Sequence, residues 1–181
     1  MNNENRKIIF LFPLLIYLIS ALVGCTSSQE RRILVVHSYE ETYAAYPEFN
    51  RLIAKQFKKE GVNADIRTLY LDCESYKEET ELKRMRYLLD SVSGDWRPEV
   101  ILVNEDQATY SLLKCGDPLV KEVPVVFAGV NYPNWELLKQ YPNATGFHDK
   151  IGFVQNAEMA RKLFGDSVRL FTLLDSTFLD V

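Results

Sequence analysis

From Arg32 onward the chain alternates two apolar patterns. Ile33-Leu34-Val35-Val36, Val100-Ile101-Leu102-Val103 and Val125-Val126-Phe127-Ala128 are unbroken apolar runs, of the kind that fills a parallel sheet covered on both faces. Ala64 to Tyr70, with Ile66, Leu69 and Tyr70, reads as a further strand, and Ala144 to Phe147 as a short fifth one. Between them the apolar residues recur at helical spacing. A helix opened by Pro47 and closed by Gly61 carries Phe49, Leu52, Ile53 and Phe57 on the face expected to pack on the sheet. Ser75-Tyr76-Lys77-Glu78 has capping-box spacing and predicts a helix starting there, with Leu82, Met85, Leu88, Leu89 and Val92 as its buried stripe and Gly94 and Pro98 closing it. Asp106 is read as the cap of a short helix holding Tyr110 and Leu113, ended by Gly116 and Pro118. A helix over Trp135 to Gln140, another over Asn156 to Phe164, and a strand over Val168 to Leu174 continue the alternation.

Such a series with right-handed crossovers predicts an α/β fold, a doubly wound parallel sheet of flavodoxin-like strand order 2-1-3-4-5. In these sheets ligands bind outside the carboxyl ends of the strands, near the switch point between the first and third. The residues leaving the strands there are His37-Ser38-Tyr39, Asn104-Glu105-Asp106 and Gly129-Val130-Asn131, with Asp72 one position further out on the second. His37, Ser38, Tyr39, Asn104, Glu105, Gly129 and Asn131 are therefore the candidate ligand-binding residues. Glu105 with Asn104 could bind an amine or hydroxyls of a ligand, whereas four of the others have a structural reading beside the functional one. His37 satisfies a backbone carbonyl, Ser38 caps the loop, Gly129 allows a turn or a close approach, and Asn131 caps the turn toward Pro133.

The first 24 residues follow a different pattern. Asn2 to Lys7 is polar and includes Arg6 and Lys7; Ile8 to Val23 is apolar without a charge, shorter than the roughly 18 residues of a membrane span. This is the layout of a secretion signal, with a retained anchor helix as the alternative. Leu22-Val23-Gly24-Cys25 resembles the lipobox of bacterial lipoprotein precursors. That resemblance implies cleavage before Cys25, with diacylglycerol on its thiol and an acyl chain on its amine, a stable membrane anchor. The other reading is a signal peptide with an incidental cysteine. The expected organisation is a signal peptide over 1–24, a tether over 25–31, an α/β lobe over 32–150 and the crossover and start of a second lobe over 151–181.

Composition then narrows the partners. The chain has 181 residues, 47% hydrophobic and 25% charged, with net charge −4, which is ordinary globular composition. Without residues 1–24 there remain 19 basic and 24 acidic residues, a net charge of −5, which disfavours nucleic acid and anionic surfaces. Cys73 and Cys115 are placed at opposite ends of the sheet and are expected not to pair. Asn143-Ala144-Thr145 fits a glycosylation sequon and is read as a turn. His37 and His148 are the two histidines, and no cluster has metal-ligand spacing. There is no G-x-S-x-G elbow, no G-x-G-x-x-G and no phosphate-binding loop. A receiver domain of this topology needs an acid where Asn104 stands. The expectation is no catalysis, no metal and no cofactor.

Arg32 to Tyr39, Val125 to Val130, Asn143-Ala144-Thr145-Gly146-Phe147 and Asn156 to Phe164 together resemble the ABC transporter substrate-binding protein family of type I periplasmic-binding fold, also used as the sensor domain of bacterial histidine kinases. The resemblance implies a small-molecule solute held in a cleft between two lobes, and a transporter permease or a sensor kinase as partner. It leads us to expect an extracytoplasmic solute-binding lipoprotein on the periplasmic or cell-surface face of a membrane; the alternatives are a sensor domain and, last, a surface hydrolase using Ser38 or Glu105. The chain stops where the second lobe should open, so we expect weak or no solute binding by these residues alone.

Overall fold

The computed structural model describes residues 29–150, 152–165, 169 and 171. The expected signal segment, Cys25 and most of the expected strand Val168 to Leu174 lie outside the described residues. No helix among the described residues is long and apolar enough to cross a membrane.

Five strands, β1 (Arg31–His37), β2 (Ala64–Tyr70), β3 (Val100–Asn104), β4 (Val125–Val130) and β5 (Ala144–His148), form one sheet in the order β2-β1-β3-β4-β5. Every neighbouring pair is parallel. The predicted strand order and class are those of the protein. The helices are α1 (Tyr46–Lys59), α2 (Glu78–Ser93), α3 (Asp106–Lys114), α4 (Leu119–Glu122), α5 (Trp135–Leu138) and α6 (Phe153–Phe164).

The main core lies on one face of the sheet. Leu34 and Val36 of β1, Ile101 and Val103 of β3, and Val125 and Phe127 of β4 pack with Met85 and Leu89 of α2 and Leu112 and Leu113 of α3. Alternate residues of a strand face opposite sides, so Ile33, Val35 and His37 point the other way, toward α1. That layer is thinner. Only Tyr46 of α1 is buried; Phe49, Ile53 and Phe57 are half-buried, and Leu52 is 47% exposed. The expected apolar face exists, but among the described residues α1 makes its main packing contact with β2 and none as extensive with another helix, so its sides stay open. α6 begins three residues before the predicted start and keeps Met159, Leu163 and Phe164 largely exposed.

The capping box is not used. The carbonyl of Asp72 accepts the N–H groups of Ser75 and Tyr76, making a turn, and extended Lys77 becomes the residue before the helix. α2 therefore starts at Glu78, with Glu78, Glu79 and Glu81 in its first turn, where negative charge is favoured by the helix dipole.

Glu81, however, is fully buried and neither carboxylate oxygen has a hydrogen-bond partner among the described residues. Its nearest cation is the Arg84 Nε at 3.6 Å. Burial pushes its carboxyl above the usual range, opposed by Arg84. A carboxyl raised on folding is a cost borne by the ionised form. That cost grows as pH rises through the raised value and vanishes below the unfolded-state value of about 4.3. Glu81→Met should therefore stabilise the protein at pH 7 by about 1–3 kcal/mol, with the gain over wild type shrinking on acidification. Urea unfolding at pH 7 and pH 4 checks this; a gain independent of pH would mean packing alone is responsible.

Candidate functional site

The parallel register brings the strand ends level. His37 stands opposite Tyr70 on one side and Asn104 on the other, and Asn104 opposite Ala128. The chain consequently leaves β1, β2 and β3 at the same height, with Ser38, Leu71 and Glu105 as the first residues out, while β4 runs past that level through Gly129 to Val130 and leaves at Asn131. The candidate residues read from the sequence converge on this rim, at the switch point between β1 and β3.

They divide into a buried floor and an open surface. His37 is fully buried, its ring stacked 3.9 Å from that of Tyr46. Its Nε2 lies 2.8 Å from the side-chain Oδ1 of Asn50 rather than from the expected backbone carbonyl, and the Asn50 amide donates to the Tyr70 hydroxyl at 3.0 Å; this network assigns the proton to Nε2, and the buried Nδ1 has no hydrogen-bond partner among the described residues. Burial lowers the His37 pKa, opposed by the bond to Asn50, so the ring is neutral at pH 7. Ser38 is also fully buried. Its hydroxyl donates to the Asn104 carbonyl at 3.0 Å and accepts from the Ala108 N–H at 2.9 Å. A side chain at the end of β1 thus bridges to β3 and satisfies one of the unpaired donors in the first turn of α3. Both residues hold the floor of the rim in place and lie beneath its surface.

Above them stands a row of tyrosines. Tyr39 and Tyr43 stack at 4.7 Å between centroids, and Tyr43 leans on Tyr46 at 4.9 Å. The Tyr46 hydroxyl accepts the Tyr39 N–H and donates to Glu105 Oε2, each at 3.0 Å. Burial, then the Glu105 carboxylate, push the Tyr39 phenol up to about 12. The Tyr46 phenol is raised by burial as well. Tyr39 is a candidate read from the sequence; Tyr43 and Tyr46 join it here, and the three recur at the spacing of one helix face, which is the sequence signal that groups them.

Glu105 is the unusual residue. Its backbone lies at φ 73 and ψ 170, and it is the one residue other than glycine with positive φ among the described residues. This is a region of backbone space essentially restricted to glycine, costing about 1–3 kcal/mol for any other residue. Neighbours hold it there: its N–H donates to the Ala128 carbonyl at 2.7 Å, and its own carbonyl accepts the Thr109 N–H at 3.1 Å and hydroxyl at 2.6 Å. Burial raises its carboxyl pKa, partly offset by the hydrogen bond from Tyr46.

Asp106 departs from its expected role. Instead of capping its own helix, its buried carboxylate accepts the N–H of Asn131 at 2.8 Å and of Tyr132 at 3.0 Å. It fastens the loop leaving β4 to the start of α3. Tyr110 supplies a second fastening, donating to the Tyr132 carbonyl and accepting the Asn134 N–H. Gly129 has φ 68, and a Cβ there would come within 3.3 Å of Asn104 Oδ1 and 3.5 Å of Glu105 Cγ, so the close approach expected of this glycine is the one it makes. Asn104 and Asn131 are half-buried on the same rim.

Cys73 and Cys115 are both free and buried, as expected from their placement. Burial, then the charges of Glu81 and Glu105, push the Cys73 thiol up to about 12, which keeps it unreactive. Asn143 binds the Val120 and Val123 carbonyls through its amide, at 2.8 and 2.6 Å, in keeping with a turn residue. No cluster of three or more His, Cys, Asp or Glu among the described residues is arranged to hold a metal ion. The rim can bind by hydrogen bonding, by aromatic stacking and by the Glu105 charge. No family model matches this chain, and no curated protein matches it in sequence.

Proposed function

We propose that this chain is an extracytoplasmic solute-binding lipoprotein, anchored through Cys25, whose rim forms one side of a cleft for a small solute delivered to an ABC-type transporter. The lipobox-like residues before Cys25 support the anchor. The parallel sheet of order 2-1-3-4-5 and its switch-point rim support the binding role. The observation that carries the reading is Glu105, a carboxylate kept in glycine-only backbone geometry at the switch point, beside Tyr39 and Tyr46. Backbone strain of this kind is retained where it serves a site.

The chemistry of the rim indicates the solute's charge. Residues 38–46, 71–76, 104–107 and 129–134 include Glu40, Glu41, Asp72, Glu74, Glu105 and Asp106 and no Lys or Arg. A half-buried carboxylate without a cationic partner suits an ammonium or guanidinium group, and the Tyr39–Tyr43 pair offers a ring face to the same cation or to an apolar body beside it. Binding rather than catalysis is the reading because His37 and Ser38 are buried beneath the rim, so they present no nucleophile and base at its surface.

One lobe covers one side of a ligand, so affinity is expected near 1 mM, about −4 kcal/mol. NMR titration of the full chain in non-ionic detergent with phenethylamine, arginine and glucose tests this. Amide shifts at Tyr39, Tyr43 and Glu105 with the two cations, lost in Glu105→Gly and Glu105→Ala and on acidification as Glu105 protonates, are the expected result. The Glu105→Gly variant should also be more stable than Glu105→Ala by about 1–3 kcal/mol, because only glycine relaxes at that φ. No shift at the rim with any of the three would refute the site.

A further inference from the structure

The outer face of α2 carries an exposed stripe of charged and aromatic side chains. Glu79, Lys83, Arg86, Tyr87 and Asp90 follow one another at helical spacing, opposite the buried Glu81, Met85 and Leu89. With Cys115 at the end of α3 they line a groove of about 460 Å³. Arg86 crosses its floor and donates to the Cys115 carbonyl. Tyr87 stands beside it 73% exposed, the aromatic of this groove and yet outside any packing. Asp90 has no ion-pair partner among the described residues, while Lys83 pairs only with Glu79 of its own helix, both residues being strongly exposed. Such an exposed pair is worth little and exchanges readily.

We propose that this groove is occupied by the same face of a second copy of the chain, in a two-fold dimer with α2 packed antiparallel on α2. A two-fold interface must be self-complementary, and this stripe is. Lys83 lies as far before the point between Arg86 and Tyr87 as Asp90 lies beyond it. Antiparallel pairing about that point sets Lys83 of each copy against Asp90 of the other. It also lays each Tyr87 ring across the groove of the other copy, beside Arg86, whose planar guanidinium stacks on aromatic faces. The helix is about 24 Å long, and the pairing buries on the order of 1,000 Å² in total, the lower end for specific association. The dimer is therefore a weak, concentration-dependent one. The surface lies on the helical layer of α2 and α3, away from the carboxyl-end rim, so it stands or falls independently of the solute reading.

Sedimentation velocity of the full chain in density-matched non-ionic detergent tests the geometry through charge reversal. Lys83→Asp alone sets carboxylate against carboxylate at both contacts, and Asp90→Lys alone sets ammonium against ammonium at both. Each is expected to weaken the dimer about tenfold or more. Mixed in equal amounts, the two variants can form a heterodimer with two acid–base contacts: the carboxylate introduced at position 83 of one copy meets the ammonium introduced at position 90 of the other, while Asp90 of the first copy meets Lys83 of the second as in wild type. Wild-type affinity should then return. Tyr87→Ala should weaken the dimer and not be rescued by mixing. These positions are exposed, so circular dichroism should show unchanged folding. A wild-type chain that stays monomeric, a dimer indifferent to both reversals, or a mixture no stronger than its components would each overturn the proposal.

Discussion

Asp106→Ala should lower the unfolding free energy by about 3 kcal/mol and release the loop that leaves β4. The Asp106 side chain is buried and accepts two backbone N–H groups, from Asn131 and Tyr132, from an element 25 residues away in sequence. Hydrogen bonds to a charged group contribute about 1.5–3 kcal/mol each. Removing the acceptor also leaves two part-buried donors without a partner. Asp106→Asn keeps one acceptor oxygen but turns an amide N–H₂ toward a backbone N–H, so it should recover less than half of the loss. Tyr110 still holds Tyr132 and Asn134, which is why the loop should loosen without the sheet coming apart. Urea unfolding with amide exchange read at Asn131 and Tyr132 separates the two effects. If the alanine variant stays within about 1 kcal/mol of wild type, the size of a surface substitution, the clamp does not bear on stability.

The second large effect is expected at Gly146. A Cβ at this position would sit 2.0 Å from the Phe127 carbonyl oxygen and 2.7 Å from its ring. No side-chain rotation relieves a clash with backbone. Gly146 is paired with Phe127 in the β4–β5 ladder, just before the register shift between Phe127 and Val130. Gly146→Ala must push β5 away from β4 and open the packing of Ala144, Leu137 and Leu138 against the core. A loss of about 3 kcal/mol or more follows from overpacking against atoms that cannot move. Gly61→Ala is the control: nothing lies within 4 Å of its Cβ position, and its left-handed φ of 72 limits the loss to about 1–2 kcal/mol. Equal melting temperatures for the two variants would disprove the argument.

Both effects come from residues whose neighbours lie on another segment, and this marks where reading the chain succeeds and fails. The strand runs around Val35, Leu102 and Val126, and the stripe containing Met85 and Leu89, could be read because their apolar spacing is a local consequence of facing a core. The rim could be read because a parallel sheet of this order puts its loops on one edge. Other features were not local. The Ser75 capping box gave way to a turn on the Asp72 carbonyl. The α1 face stayed half open because coverage depends on what stands beside a helix, not on its own pattern.

The sequence by itself determined the class of fold, the strand order and the edge of the sheet from which the strand-end loops emerge, since each follows from hydrophobic periodicity and right-handed crossovers. Only the tertiary structure decided what the residues there do. It buried His37 and Ser38 as the floor, turned Asp106 from a helix cap into a clamp on the next loop, brought Tyr46 to Glu105, and held Glu105 in a backbone conformation that glycine alone adopts without cost. Hydrogen bonds between distant segments made those assignments, and no spacing along the chain encodes them.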